Sequence, residues 1–193
     1  GRPDLPCGTR RAAARRVIET ERLILRPWRE EDRELFHRLG NDPDTMRYLG
    51  PLRLREEDDQ AFDRQQAFFA TGGTCGWLVE RRADRRPIGM CGTKPARPGL
   101  PIAGEMEIGW RFEPNYRGQG YALEAAQASL IYAWEKTGAP RVVAITVQDN
   151  IPSRRLMERL GMRHVVQADF DHPFLPEDSP LRRHVLYRID RPA

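Results

Sequence analysis

A chain of 193 residues, 39% of them hydrophobic, is long enough for one ordinary domain with its own core, and no apolar run approaches the ~20 residues of a membrane span. Its three cysteines (Cys7, Cys75, Cys91) and four scattered histidines (His37, His164, His172, His184) lack metal-ligand spacing, so no metal is expected and the thiols read as reduced, in a cytoplasmic protein. The net charge of +4 lies wholly in residues 1–18, where five arginines face Asp4 alone (5 − 1 = +4), leaving 27 basic and 27 acidic residues after them.

Residues 1–19 therefore read as a basic arm. With Pro3, Pro6 and Gly8 and almost no large apolar side chain, the arm has little to bury and is expected to be disordered. The domain proper is expected over residues 20–191. It opens on Glu21–Pro27, a short alternating strand closed by proline. Glu30–Leu39 sets Leu35, Phe36 and Leu39 at helical spacing, with Gly40 as the stop. Asp42-Pro43 is a helix start, with an acceptor at the cap and proline in the first turn. A longer helix over Glu56–Thr71 turns Ala61, Phe62, Gln65, Phe68 and Phe69 to one side, with Gly72-Gly73 beyond it. The acids Glu56-Glu57-Asp58-Asp59 stand at its N-terminus, where the helix dipole favours them, and read as structural. Strands follow at Cys75–Glu80 and Pro87–Thr93, with the polar hairpin loop Arg81–Arg86 between them.

The stretch Glu105–Ala122 is the most informative. Met106, Ile108 and Trp110 alternate with Glu105, Glu107, Gly109 and Arg111, the period of a half-buried strand. Glu113-Pro114-Asn115 ends it, and Arg117-Gly118-Gln119-Gly120-Tyr121-Ala122 runs into the helix formers Leu123-Glu124-Ala125-Ala126. Strand, glycine-bearing loop and helix start together make an anion cradle: glycine admits close backbone approach, and the first-turn N–H groups have no partner within the helix. Two familiar phosphate-binding patterns fail here. A dinucleotide fold needs glycine where Leu123 stands and an acid where Pro140 and Arg141 stand, and a Walker-type loop needs Lys-Ser/Thr where Tyr121-Ala122 stand.

Past the cradle, a helix is expected from about Gly118 to Thr137, with Leu123, Ala126, Leu130, Ile131 and Trp134 inward. Val142–Val147 is a continuous apolar strand, buried on both faces. Asn150-Ile151-Pro152-Ser153 starts a helix that carries Leu156, Met157 and Leu160 to a stop at Gly161. Two strands, about Arg163–Ala168 and Arg183–Ile189, close the chain across a polar loop, Asp169–Leu181.

The pattern Arg-x-x-Gly-x-Ala at 117–122 resembles the coenzyme A pyrophosphate loop of the GNAT acetyltransferase superfamily. Thr20–Arg26, with Asn41-Asp42-Pro43 and Tyr48-Leu49, is similar to the opening of the RimJ/RimL-like branch, which acetylates protein N-termini and related amines. Asn150-x-x-Ser153, followed by Arg154-Arg155-Leu156, Glu158 and Leu160-Gly161-Met162, looks like that branch's second coenzyme-side helix. The resemblance covers roughly Thr20 to Arg188. It implies an α/β (α+β) fold, one mixed and mostly antiparallel sheet flanked by helices, whose two central parallel strands splay apart to admit a pantetheine arm. It implies an acetyl-CoA-dependent N-acetyltransferase, with acetyl-CoA as co-substrate and a peptide N-terminus or small amine as acceptor. A second copy of the chain, forming a homodimer, is an admissible partner; a membrane and a nucleic acid are not expected.

The resemblance also implies where the coenzyme is held: the loop residues Arg117, Gly118, Gln119, Gly120, Tyr121 and Ala122, backbone groups around Trp110 and Phe112, and Asn150 and Ser153 at the second helix. Asn150 is equally suited to capping that helix. An ammonium has no lone pair, so the acceptor must lose a proton, and in the family a carboxylate on the central strand often takes it. Glu107, nearer the splay, is the first candidate and Glu105 the second, with two solvent-facing glutamates as the plain alternative. The acyl oxygen needs a donor as charge builds, and an N–H near Trp110 is placed to supply it. Many superfamily members carry a tyrosine seven residues after the asparagine as general acid; this chain carries Met157. Ser153 is the available hydroxyl, with Tyr116 and Tyr121 as alternatives expected at the coenzyme mouth. A thiol of pKa ~8.5 leaves tolerably without full protonation.

Two other readings stay open. A GNAT domain that binds acetyl-CoA without transferring it is favoured by Met157. An accessory protein binding nucleic acid through its arginine arm is opposed by the neutral balance of the rest of the chain. Acceptor choice is expected in the variable regions, Met46–Thr71 and Asp169–Leu181. Asp169, Asp171, Glu177 and Asp178, with Arg182 and Arg183 behind them, would favour a cationic acceptor were they to line the mouth.

Overall fold

The computed structural model describes residues 17–70 and 76–193. Most of the basic arm, Cys7, Cys75 and the Gly72-Gly73 stop lie outside the described residues. The strands are β1 (Ile18–Glu19), β2 (Leu23–Arg26), β3 (Gly76–Arg81), β4 (Arg86–Pro95), β5 (Met106–Phe112), β6 (Arg141–Val147), β7 (Arg163–His164), β8 (Phe170–Asp171) and β9 (Arg183–Asp190). The helices are α1 (Arg33–Asn41), α2 (Pro43–Met46), α3 (Arg55–Ala70), α4 (Tyr121–Thr137) and α5 (Ile151–Arg159). The strands form one mixed sheet in the order β1-β2-β3-β4-β5-β6-β9-β7, with β8 on β9. Neighbours run antiparallel except β5 and β6, which are parallel.

One face of the sheet is covered by α4. Tyr121, Ala125, Ala126 and Leu130 pack on Leu25, Val79, Cys91, Ile108, Phe112 and Val142, all buried. The small side chains of Ala125 and Ala126 let the helix lie close. Cys91 is a free thiol in this layer, pushed up to about 12 by burial, which suits an inert packing residue. On the other face α1 and α3 bring Leu35, Phe36, Leu39 and Phe62 onto Trp28 and Leu78. There the rings of Trp28, Phe36 and Phe62 meet edge to face, with centroids 5.2 to 6.0 Å apart.

Three local expectations change. Ile18 and Glu19, assigned to the arm on composition, pair with Leu25 and Ile24. All four residues of β2 are buried, so its alternation is not an inside–outside pattern. Arg26 stays buried because its guanidinium meets Asp32 at 2.7 Å and Glu80 at 2.8 Å. Finally, Gly40 does not stop α1, which continues to Asn41. A Cβ at position 40 would lie 2.6 Å from Asp58 Oδ1, so glycine serves a close helix approach. Asp58 is itself buried and accepts hydrogen bonds from Asn41 Nδ2 (2.7 Å) and Arg53 Nη1 (3.4 Å), with His37 Nδ1 at 2.9 Å.

Candidate active site

The two parallel strands part almost at once. β5 and β6 pair only at Met106–Val142 and Glu107–Val143. From Ile108 to Phe112, β5 pairs with β4 alone, and from Ala144 to Val147, β6 pairs with β9 alone. Each strand therefore keeps an unpaired edge facing the gap between them, and those backbone groups need partners.

The loop after β5 closes the wide end of this gap. Pro114–Tyr116 form one tight turn. Gly118 (φ 73°) and Gly120 (φ 83°) are both left-handed, a backbone that side chains resist. Two such residues cannot join a right-handed helix, so α4 begins at Tyr121 and not near Gly118. Gly120 caps it without a side chain, leaving the first-turn N–H groups uncapped. The loop is tied at both ends. Arg22 Nη1 donates to the Gln119 carbonyl (3.0 Å) while its Nε meets Glu124 Oε2 (2.7 Å). Arg117 Nε donates to the Phe112 carbonyl (3.0 Å) and its Nη2 meets Asp42 Oδ2 (3.1 Å), the cap of α2.

Two of the expected coenzyme-side groups are engaged within the protein. The Arg117 side chain and the Phe112 carbonyl, expected to meet the coenzyme, meet each other. The Gln119 side chain also bonds within the loop, to the Asn115 carbonyl at 2.8 Å. Tyr116 and Tyr121 are buried in the α4-side core. Arginines lie over their rings, Arg81 and Arg86 over Tyr116 and Arg22 over Tyr121. Trp110 packs partly buried against the same core.

At the second helix, Asn150 Oδ1 accepts from the Ser153 N–H (3.4 Å) and its Nδ2 donates to Thr146 Oγ1 (2.9 Å). The amide is thus engaged at both ends as a cap. Met157 is buried in the core. The Ser153 hydroxyl, half-buried on the first turn of α5, makes no hydrogen bond among the described residues.

Glu107, Gly109 and Arg111 share the sheet face opposite α4. Directly across β4 stand Lys94, Gly92 and Met90, and paired residues project to the same side. Met90 packs with the Trp28–Phe62 cluster, so this is the α1–α3 face. Gly109 is exposed although its strand is central, and a Cβ there would meet nothing within 4 Å. Beside that opening, burial pushes the Glu107 carboxyl upward, with Lys94 pulling the other way. Glu105 precedes β5 and pairs with Arg141 at 3.3 Å. The two glutamates therefore differ: one is held by an arginine, the other is desolvated at the point where the strands part. In the Asp169–Leu181 loop, Asp169 meets His164 (2.9 Å) and the Leu186 N–H (3.0 Å), and Asp171 meets Arg183 (3.3 Å). Asp169 and Asp171 are thus held by partners on the strands beside the loop.

A family model described as Acetyltransferase (GNAT) domain matches residues 22–163, from β2 through α5, and so takes in the splayed strands and the loop. The chain belongs to the GNAT acetyltransferase family. Similar proteins agree. An uncharacterized N-acetyltransferase, YnaD of Bacillus subtilis (strain 168), is 31% identical over 152 residues, 76% of this chain and 82% of that protein. The acetyltransferase (GNAT family) of Bacillus anthracis superposes with a TM-score of 0.73 at 27% identity, over 90% of this chain and 98% of that one. RimL, a ribosomal L7/L12 alpha-N-protein acetyltransferase solved with coenzyme A, matches with a TM-score of 0.73 over 90% of this chain and 97% of its own. At 17% identity it attests the shared fold alone. This GNAT protein is an acyl-CoA-dependent N-acetyltransferase. Among its described residues no helix is long and apolar enough to cross a membrane.

Proposed function

We propose that this GNAT protein moves the acetyl group of acetyl-CoA to a primary amine, a peptide N-terminus or a small amine, by direct attack in a ternary complex. One observation carries the reading: Glu107 stands desolvated where β5 and β6 part, beside an open floor at Gly109. The residues present suit acetyl-CoA. The unpaired edge of Ile108–Trp110 offers backbone partners to an amide-bearing arm. The left-handed glycines 118 and 120, with the N–H groups of Tyr121 and Ala122, suit a pyrophosphate.

In this reading Glu107 takes the amine proton through a water and passes it to solvent. A peptide amine has a pKa of ~7.7–8.0, so a weak base near neutrality suffices, and burial moves Glu107 in that direction. The amine nitrogen bonds the acetyl carbon, and the carbon–sulfur bond breaks. The N–H near Trp110 supports the acyl oxygen as it gains charge. The departing thiolate takes a proton from solvent, and the unpartnered Ser153 hydroxyl orients the sulfur. Met157, in the core where many relatives have a tyrosine, favours a second reading in which acetyl-CoA is held and not turned over. Thiol release from acetyl-CoA, followed over a panel of peptides and small amines, separates the two. Amine-dependent release is expected; bound acetyl-CoA with no release from any amine would leave the binding-only reading standing.

A further inference from the structure

The acceptor face holds a cation that the fold does not use. Arg111 lies on β5 two residues past the open floor at Gly109, half-buried, and its side chain forms no hydrogen bond or ion pair among the described residues. Asp58, the acid whose charge Arg111 feels, is already met by His37, Asn41 and Arg53. Arg53, on the connection between α2 and α3, also bears on Arg111 and repels it. Two arginines against one aspartate leave this corner at 2 − 1 = +1. Burial lowers Arg111 to about 10, first by desolvation and then by Arg53, yet it stays charged at neutral pH. A desolvated and unpaired guanidinium is costly in a finished fold, and a ligand anion removes the cost.

We propose that Arg111 selects the acceptor by binding a carboxylate on the same molecule whose amine meets Glu107. The inference rests on the acyl-transfer reading above and adds to it the chemistry of the acceptor. Glu107 and Arg111 stand four residues apart on one face, about 13 Å along an antiparallel strand. That is a spacing between backbones, and with a water at Glu107 and a hydrogen bond at Arg111, about 3 Å per link, it leaves room for an acceptor whose amine and carboxylate lie several ångströms apart. A peptide α-amine and an acidic side chain within its first two residues fit such a span. Gly109 leaves the floor between the two groups open, so the acceptor's backbone can lie across it. The planar guanidinium suits a carboxylate in two-point contact, with geometry a lysine cannot copy.

The test uses the full-length chain, acetyl-CoA, and matched peptides differing only by Asp or Asn at position two, with free glutamate and glutamine as a second pair. The Asp peptide is expected to exceed its Asn partner in kcat/KM by about tenfold or more. Arg111→Gln should bring that ratio close to one, and Arg111→Lys should restore part of it. Alongside, calorimetry with succinate should show binding that Arg111→Gln removes. Thermal melts establish that each variant is folded. Amine turnover with equal rates for the Asp and Asn peptides would overturn the anion site while leaving acyl transfer intact. Arg111-dependent succinate binding with no amine acetylated would leave an anion site and sink the transfer reading. A charge preference that survives Arg111→Gln would overturn the assignment to Arg111.

Discussion

Glu107→Gln keeps the size and hydrogen-bonding outline of the side chain and removes its basicity. The structure makes two opposite expectations for it. As proton acceptor, Glu107 should contribute the ~10²–10⁴-fold typical of a positioned base, so kcat at pH 7 should fall at least tens-fold. As a carboxylate pushed upward by burial, it weakens the fold. A raised folded-state value means its proton is held more tightly when folded, so the native state is favoured at low pH. That advantage is lost as the pH rises through the folded value. At neutral pH the glutamine variant should therefore melt at the same temperature or higher, a gain that fades in acid once Glu107 is protonated in the parent too. Loss of rate without loss of stability separates chemistry from damage. The assay is thiol release at saturating acetyl-CoA from pH 6 to 9, beside melts over the acid range. The variant should recover part of its rate above pH 8, where a peptide amine is already neutral. Glu105→Gln is the control on the neighbouring acid, which pairs with Arg141 and should matter little. Full activity in Glu107→Gln, with a large loss in Glu105→Gln, would refute the assignment. No loss in either would mean the amine arrives deprotonated.

Gly120→Glu puts a side chain on a left-handed residue, at about 1–2 kcal/mol, and a negative charge at the pyrophosphate cradle. Acetyl-CoA affinity by calorimetry should drop more than about tenfold, and unchanged affinity in a folded variant would remove the cradle. Ser153→Ala should cost less than about tenfold in kcat, because a thiol of pKa ~8.5 needs orientation more than a proton; a loss in the thousands would make Ser153 the acid. Arg26→Ala leaves Asp32 buried without its main counter-charge while Glu80 keeps Arg85 at 2.7 Å. Urea unfolding should show a loss of about 3 kcal/mol, and a loss under 1 would mean the cluster relaxes freely.

The elements readable along the chain are those whose causes are local. Met106, Ile108 and Trp110 alternate because a strand's side chains alternate, and β5 lies where that period puts it. Asp42-Pro43 caps a helix because the acceptor and the N–H it serves are three residues apart. The glycines at 118 and 120 marked a loop of close backbone approach, whereas its left-handed backbone and the later helix start follow only from the two φ angles. The small β1 went unread, since two residues carry no period.

What the chain order could not show is which polar groups are already taken. Arg117 and Asp42 are 75 residues apart, and only the folded loop brings the arginine to the α2 cap. Glu105 and Glu107 look alike on a strand of alternating residues. The sheet places one beside Arg141 and buries the other where β5 and β6 part. Arg111 was one more arginine among many until its neighbours were seen to be paired with each other. Periodicity and turn chemistry are short-range and written in neighbouring residues. Charge partnership and desolvation depend on contacts across the fold, so the sequence by itself determined the strand, the glycine loop and the family pattern, and the tertiary structure alone decided which carboxylate is paired, which is desolvated and which guanidinium has no partner.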